Sequence, residues 1–144
     1  MIRPLTAAHA GALLALVCAV ALPAFAQPAA SYKTGSEFYL AYRAAFDKAT
    51  SIDELLPWVA KERREVIATA PAAERKEGFD MMKMFDDRRS VTVVKETPSA
   101  TGAELQVEGV SAESQAKATG VITLLKEDGA WKIVRESWKG GGLR

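Results

Sequence analysis

The order of local patterns along this chain predicts an α+β fold: N-terminal helices packed on one face of a curved antiparallel four-stranded sheet. Between Phe38 and Phe85, apolar residues recur at helical spacing. From Ser90 onward they give way to short runs that are β-branched or that alternate apolar and polar residues. Glu127-Asp128-Gly129-Ala130 then supplies the Asp-Gly centre of a two-residue hairpin. Helices first and a strand meander after them point to α+β rather than to alternating α/β units.

The length of 144 residues fits one domain behind a leader. Met1-Ile2-Arg3 is short and basic, an apolar run extends from Ala12 to Leu22, and Pro23 precedes Ala24-Phe25-Ala26. This three-part pattern is that of a secretory signal peptide over residues 1–26. The run is shorter than the roughly 20 apolar residues of a membrane-spanning helix. Val17 before Cys18 does not suit a lipoprotein anchor. The expected organisation is a signal peptide (1–26), a flexible leader (27–34), the domain (35–139) and a flexible tail (140–144). The expected location is periplasmic or secreted, with no membrane span after cleavage.

Cleavage would remove His9 and Cys18, the only histidine and the only cysteine. What remains excludes a disulfide, a Ser-His-Asp triad, a Cys-His pair and a histidine-ligated metal. Losing Arg3 from the 19 basic residues makes them equal in number to the 18 acidic ones, so no basic footprint for nucleic acid is left. No phosphate loop, dinucleotide fingerprint, zinc spacing or nucleophile elbow occurs. Neither a cofactor nor a metal is expected.

In the first helix Phe38, Tyr39, Tyr42, Ala45, Phe46 and Ala49 share a face, with Ser36 as cap and Arg43 and Asp47 elsewhere. Ser51-Ile52-Asp53-Glu54 has the form of a capping box, and Pro57 predicts a kink after one turn of a helix that runs on through Ala68. Leu55, Leu56, Val59, Val66 and Ile67 would face the core. Pro71 opens a third helix with Phe79, Met82 and Phe85 as its stripe. Strands follow at Val91–Val94, Ala103–Glu108, Val121–Leu125 and Trp131–Trp138. With Asp128 and Gly129 as loop residues, Lys126 faces Trp131, Leu124 faces Ile133 and Ile122 faces Arg135. One hairpin face then carries Ile122, Leu124, Trp131 and Ile133. The other carries Val121, Thr123, Leu125, Val134 and Trp138. Both are largely apolar, so the helices would cover one, and a ligand or a second subunit the other.

The segment Gly120 to Val134, with its strand, Asp-Gly turn and Trp131-Lys132-Ile133, resembles the final hairpin of NTF2-like domains. Counting helix order, the resemblance covers residues 35–139. It implies a cone-shaped α+β domain of the kind found in small exported bacterial proteins. The usual short strand between the second and third helices has no counterpart between Ala68 and Pro71. Members include isomerases, dehydratases and many non-enzymatic binding proteins, and neither the isomerase nor the dehydratase catalytic pattern matches here.

Candidate pocket residues are Tyr39, Tyr42, Trp58, Trp131 and Trp138, although aromatic side chains chiefly serve cores. Met81, Met82 and Met84 could form an adaptable surface. Asp47 with Tyr42 is the best available acid-and-tyrosine pair for proton transfer, and an Arg43–Asp47 surface salt bridge is the simpler account of that acid. Asp86 and Asp87 lack a third metal ligand and have Arg88 and Arg89 beside them. The reading that results is an exported, non-enzymatic NTF2-like binding or accessory protein. It would hold a small apolar ligand, or pair through its sheet as a homodimer. The alternatives are an isomerase- or dehydratase-type enzyme, and a structural cell-envelope domain that uses residues 103–108 as an edge strand.

Overall fold

A computed structural model describes residues 31–86, 90–112 and 114–140. The signal peptide, Cys18, His9, Asp87, Arg88, Arg89 and the tail beyond Gly140 lie outside them. The order is α1 (Gly35–Lys48), a 3-10 helix (Ile52–Trp58), α2 (Lys61–Thr69), α3 (Ala72–Asp86), then β1 (Ser90–Pro98), β2 (Gly102–Val110), β3 (Lys117–Glu127) and β4 (Ala130–Gly140). The strands form one antiparallel sheet in the order β1-β2-β3-β4. The fold is α+β, helices before strands. No helix among the described residues is long and apolar enough to cross a membrane.

The core lies between α1 and one face of the sheet. Phe38, Tyr39, Tyr42 and Phe46 of α1 are buried with Leu105, Val107, Ile122, Leu124, Trp131 and Ile133 from the strands. On β2 the period of two is clean: Ala103, Leu105 and Val107 are buried, while Glu104, Gln106 and Glu108 are exposed. Aromatic rings continue the core along the helices, with Trp58 5.5 Å from Phe38 and 6.0 Å from Tyr42, and Phe46 6.4 Å from Phe79.

Helix entries differ from expectation. Thr34, not Ser36, caps α1, accepting from the Glu37 amide at 3.1 Å. Ser36 sits inside the first turn, where Glu96 of β1 covers the helix end. That carboxylate accepts from the Gly35 amide (2.9 Å), the Ser36 amide (3.0 Å) and the Ser36 hydroxyl (2.5 Å). The capping box at Ser51 does not form either. Ser51 makes no capping bond, and Glu54 reaches back to the amide and hydroxyl of Thr50. The predicted kinked second helix divides at Val59-Ala60 into the 3-10 helix and α2. There Val59 makes a single parallel bridge to Ile133, and the Ala60 amide donates to the Ile133 carbonyl at 2.9 Å. Pro57, which disfavours a continuous α-helix, stands just ahead of this break.

Glu96 has a measurable consequence. Burial alone would raise its pKa, but the Ser36 hydroxyl and the two amides hold it below the ordinary carboxylate range. A depressed folded pKa stabilises the fold above the unfolded value and loses that contribution as pH falls through the folded one. Glu96→Gln should therefore cost about 0.5–1 kcal/mol at pH 7, the low end of capping effects because solvent screens this partly exposed carboxylate. The gap between wild type and variant should close on acidification below about pH 4. Urea denaturation at several pH values reads both effects, and a pH-independent gap would contradict the assignment.

Other expectations change with packing. Val66 is 71% exposed and Phe85 48%, so neither belongs to the core stripe of its helix. Residues 103–108 lie on an interior strand, paired on both sides, and the edges are β1 and β4. Tyr32 packs on the domain: its ring lies 5.6 Å from Phe38, and its carbonyl accepts from the Trp131 indole at 3.1 Å.

The hairpin turns as expected, with positive φ at Asp128 (50°) and Gly129 (79°), and Lys126–Trp131 and Leu124–Ile133 pair as predicted. Beyond them the register shifts. Val134 is an extra residue, so Thr123 pairs with Arg135 and Ile122 with Glu136, not with Arg135. A second extra residue, Val94, interrupts β1 between Val93 and Lys95. The shift in β4 moves Trp138 from the outer to the inner face, opposite Gly120, where a Cβ would meet the indole at 2.9 Å. The outer face of the hairpin stays open within the chain, with Val121 40% and Val134 38% exposed.

Candidate functional site

Because of the shift at Val134, the last third of β4 presents Glu136 and Trp138 toward the helices. Together with α1 and α3 they line an open groove of about 420 Å3. α1 supplies Tyr42, Arg43 and Phe46. α3 supplies Gly78, Met81, Met82, Phe85 and Asp86, and β4 supplies Glu136, Trp138 and Gly140. The half-exposed Phe85 and Met81 thus belong to a concave surface rather than to the core.

Two polar clusters stand in this apolar lining. In the first, the Tyr39 hydroxyl donates to Glu136 Oε1 at 2.7 Å, and the Tyr42 hydroxyl reaches Oε2 at 3.4 Å. Burial raises both phenol pKa values far above normal, and the adjacent Glu136 carboxylate adds to the effect. Both phenols therefore remain O–H donors at any physiological pH. A carboxylate has about four acceptor positions, and two phenols leave capacity for a further donor.

In the second cluster one Nη of Arg43 lies 2.7 Å from Asp86 Oδ1 and 2.8 Å from Oδ2. Burial works against the guanidinium charge, but Asp86 more than offsets it, and the pKa of Arg43 rises. The Arg43 Nε is buried without a hydrogen-bond partner, and the guanidinium lies 5.2 Å from the Phe46 ring centre. Lys83 of α3 donates to the Phe46 carbonyl and lies 4.5 Å from that ring. Through these contacts the C-terminal half of α3 is fastened to α1, which fixes the width of the groove.

The candidates read from sequence separate clearly. Tyr42 and Trp138 line the groove, and Tyr39 stands behind it, holding Glu136. Trp58 and Trp131 are spent on packing: Trp58 on Phe38 and Tyr42, Trp131 on Tyr32 and under Lys126. Asp47 is exposed and meets neither Tyr42 nor Arg43, whose partner is Asp86. Met81 and Met82 line the groove, whereas Met84 points away and is exposed. Glu136 and the Arg43–Asp86 pair escape a sequence reading. One signal for Glu136 does exist. The apolar spacing Trp131, Ile133, Trp138 changes parity between its second and third members, which a regular strand cannot accommodate on one face.

Among the described residues no group of His, Cys, Asp or Glu side chains could hold a metal ion. The lining combines apolar walls with one cation and two anions, and it suits capture of a largely apolar molecule with a donor or cationic end. Compared with family models, with curated proteins and with solved structures, the chain matches none.

Proposed function

We propose that this chain is an exported NTF2-like binding protein that holds a small, mainly apolar ligand in the groove between α1, α3 and the end of β4. The leader pattern of residues 1–26 supports export, and the helix-first order with the Gly120–Val134 hairpin supports the NTF2-like reading. The observation that carries the binding reading is the groove itself. Its volume falls within the range of small-molecule pockets, and its walls are Phe46, Met81, Met82, Phe85 and Trp138. Glu136 is the group that would orient the ligand, and a hydrophobic amine or ammonium compound fits its charge and the aromatic walls.

The same geometry weighs against acid–base catalysis. An acid-and-tyrosine enzyme needs a free phenol to stabilise a developing oxyanion, and both phenols here already serve Glu136.

Trp138 provides the readout. Titration with decyltrimethylammonium, decanol and decanoate should quench or shift its emission, and Trp138→Phe should remove the change. The cation should bind about tenfold more tightly than the anion, equivalent to about 1.4 kcal/mol. Glu136→Gln should abolish that preference while leaving decanol binding intact. Absence of binding by all three compounds would overturn the proposal.

A further inference from the structure

We propose that the groove continues beneath α2, past a partition closed by Met82, and that the molecule it takes is a long single-chain amphiphile whose tail pushes this methionine aside. The inference rests on the groove being a ligand site, and it adds where the chain runs and how long it is. A second hollow shares Tyr42 and Met82 with the groove, so these two side chains stand between the spaces. The hollow is only about 10 Å3, room for roughly one water. Ile52, Leu55 and Leu56 of the 3-10 helix and Arg63 and Ile67 of α2 wall it, and no described strand residue does. Apart from Arg63 these walls are apolar, and a half-buried arginine keeps its charged head toward water while its stem packs.

The two halves of the partition are unequal. Tyr42 is buried and its hydroxyl is held at Glu136, so it stays. Met82 is half-buried and unbranched, and its three rotatable bonds let it repack around a guest. The roof over the hollow is lightly fixed as well. α2 has no buried residue, and its start is tied by the Ala60 amide on Ile133 (2.9 Å) and the Lys61 amide on Glu127 (2.8 Å). A helix with so little buried apolar surface opens at low cost. Volume decides what has to enter. Decyltrimethylammonium has about 14 non-hydrogen atoms, and at about 30 Å3 for each water-sized group these fill the groove of about 420 Å3. Every methylene beyond decyl goes either into solvent, where it gains nothing, or past Met82 among the helices, where burial strengthens binding about fourfold per methylene.

Octyl-, decyl-, dodecyl- and tetradecyltrimethylammonium, each titrated below its micelle concentration and read by Trp138 emission, provide the test. Affinity should keep rising through tetradecyl, by about 250-fold from decyl onward. Ile67→Phe fills the hollow from α2 and lies outside the groove lining. It should bind the decyl compound as wild type does and gain less than about twofold from four further methylenes, the result expected when burial stops at the partition. Met82→Ile, stiffened by its branched Cβ, should flatten the series beyond decyl in the same way. A wild-type series that levels off at decyl, or a series in either variant as steep as that of wild type, would overturn the extension beneath α2 and leave the groove as a ligand site. Absence of binding at every chain length would remove the groove reading and this inference together.

Discussion

Asp86→Ala should destabilise the fold by about 3 kcal/mol, because it leaves the Arg43 guanidinium charged, buried and unpaired. The Arg43 and Asp86 side chains are only 11% and 14% exposed, and Arg43 already has one unsatisfied nitrogen. Removing the carboxylate strips the remaining compensation from a charge that cannot be neutralised by deprotonation. The loss should appear as a fall in Tm of about 10–20 °C. Arg43→Met combined with Asp86→Leu should recover most of it, since replacing both partners with apolar groups removes the desolvation penalty along with the attraction. A single variant as stable as wild type would mean that the ion pair does not hold α3 to α1. A double variant no better than the single would mean that the pair does more than satisfy itself.

The second large effect is expected at Gly102. This residue opens β2 opposite Leu125, and a Cβ there would lie 2.0 Å from the Leu124 carbonyl oxygen and 2.8 Å from the Leu125 Cα. Both atoms are backbone within the ladder, so no side-chain rotation relieves the contact. Gly102→Ala should cost about 3 kcal/mol or more, at the upper end of overpacking effects. The mechanism is displacement of the β2–β3 pairing, so amide exchange should accelerate along residues 102–105 and 122–125 before it does in α1. Gly78→Ala offers a contrast, because a Cβ there meets nothing within 4 Å, and in mid-helix alanine should stabilise slightly. If both alanines behaved alike, steric approach would not be what requires glycine at position 102.

What the sequence disclosed was chiefly local. Asp128-Gly129 defines its own turn, and the alternation from Ala103 to Glu108 defines a strand with one buried face, because both depend on neighbours a few residues away. The aromatic face of α1 was legible for the same reason, through helical periodicity. The groove was not legible. Its acid, Glu136, owes its orientation to one unpaired residue, Val134, and a strand read at constant register turns Glu136 outward. Arg43 and Asp86 are 43 positions apart, and no local pattern joins them. The nearer acid, Asp47, is at the right helical spacing for a surface pair, yet the approach of α3 decides the matter. Likewise Glu96 displaces the expected serine cap from 60 residues away, a choice made by tertiary packing of β1 against the start of α1.

The placement of Val94 and Val134 governs how such a sheet can associate at all. Each adds an unmatched residue to one of the two border strands, while β2 and β3, paired on both sides, run in unbroken register with each other. A strand arriving from another molecule would find its hydrogen-bonding partners out of step after a few residues on either border, and on β4 it would also meet the Ala60 amide already engaged with Ile133. Growth by adding strand to strand, the route to fibrils, is obstructed at both ends, so a contact between broad surfaces, which closes on itself, is the form of assembly that this sheet leaves open.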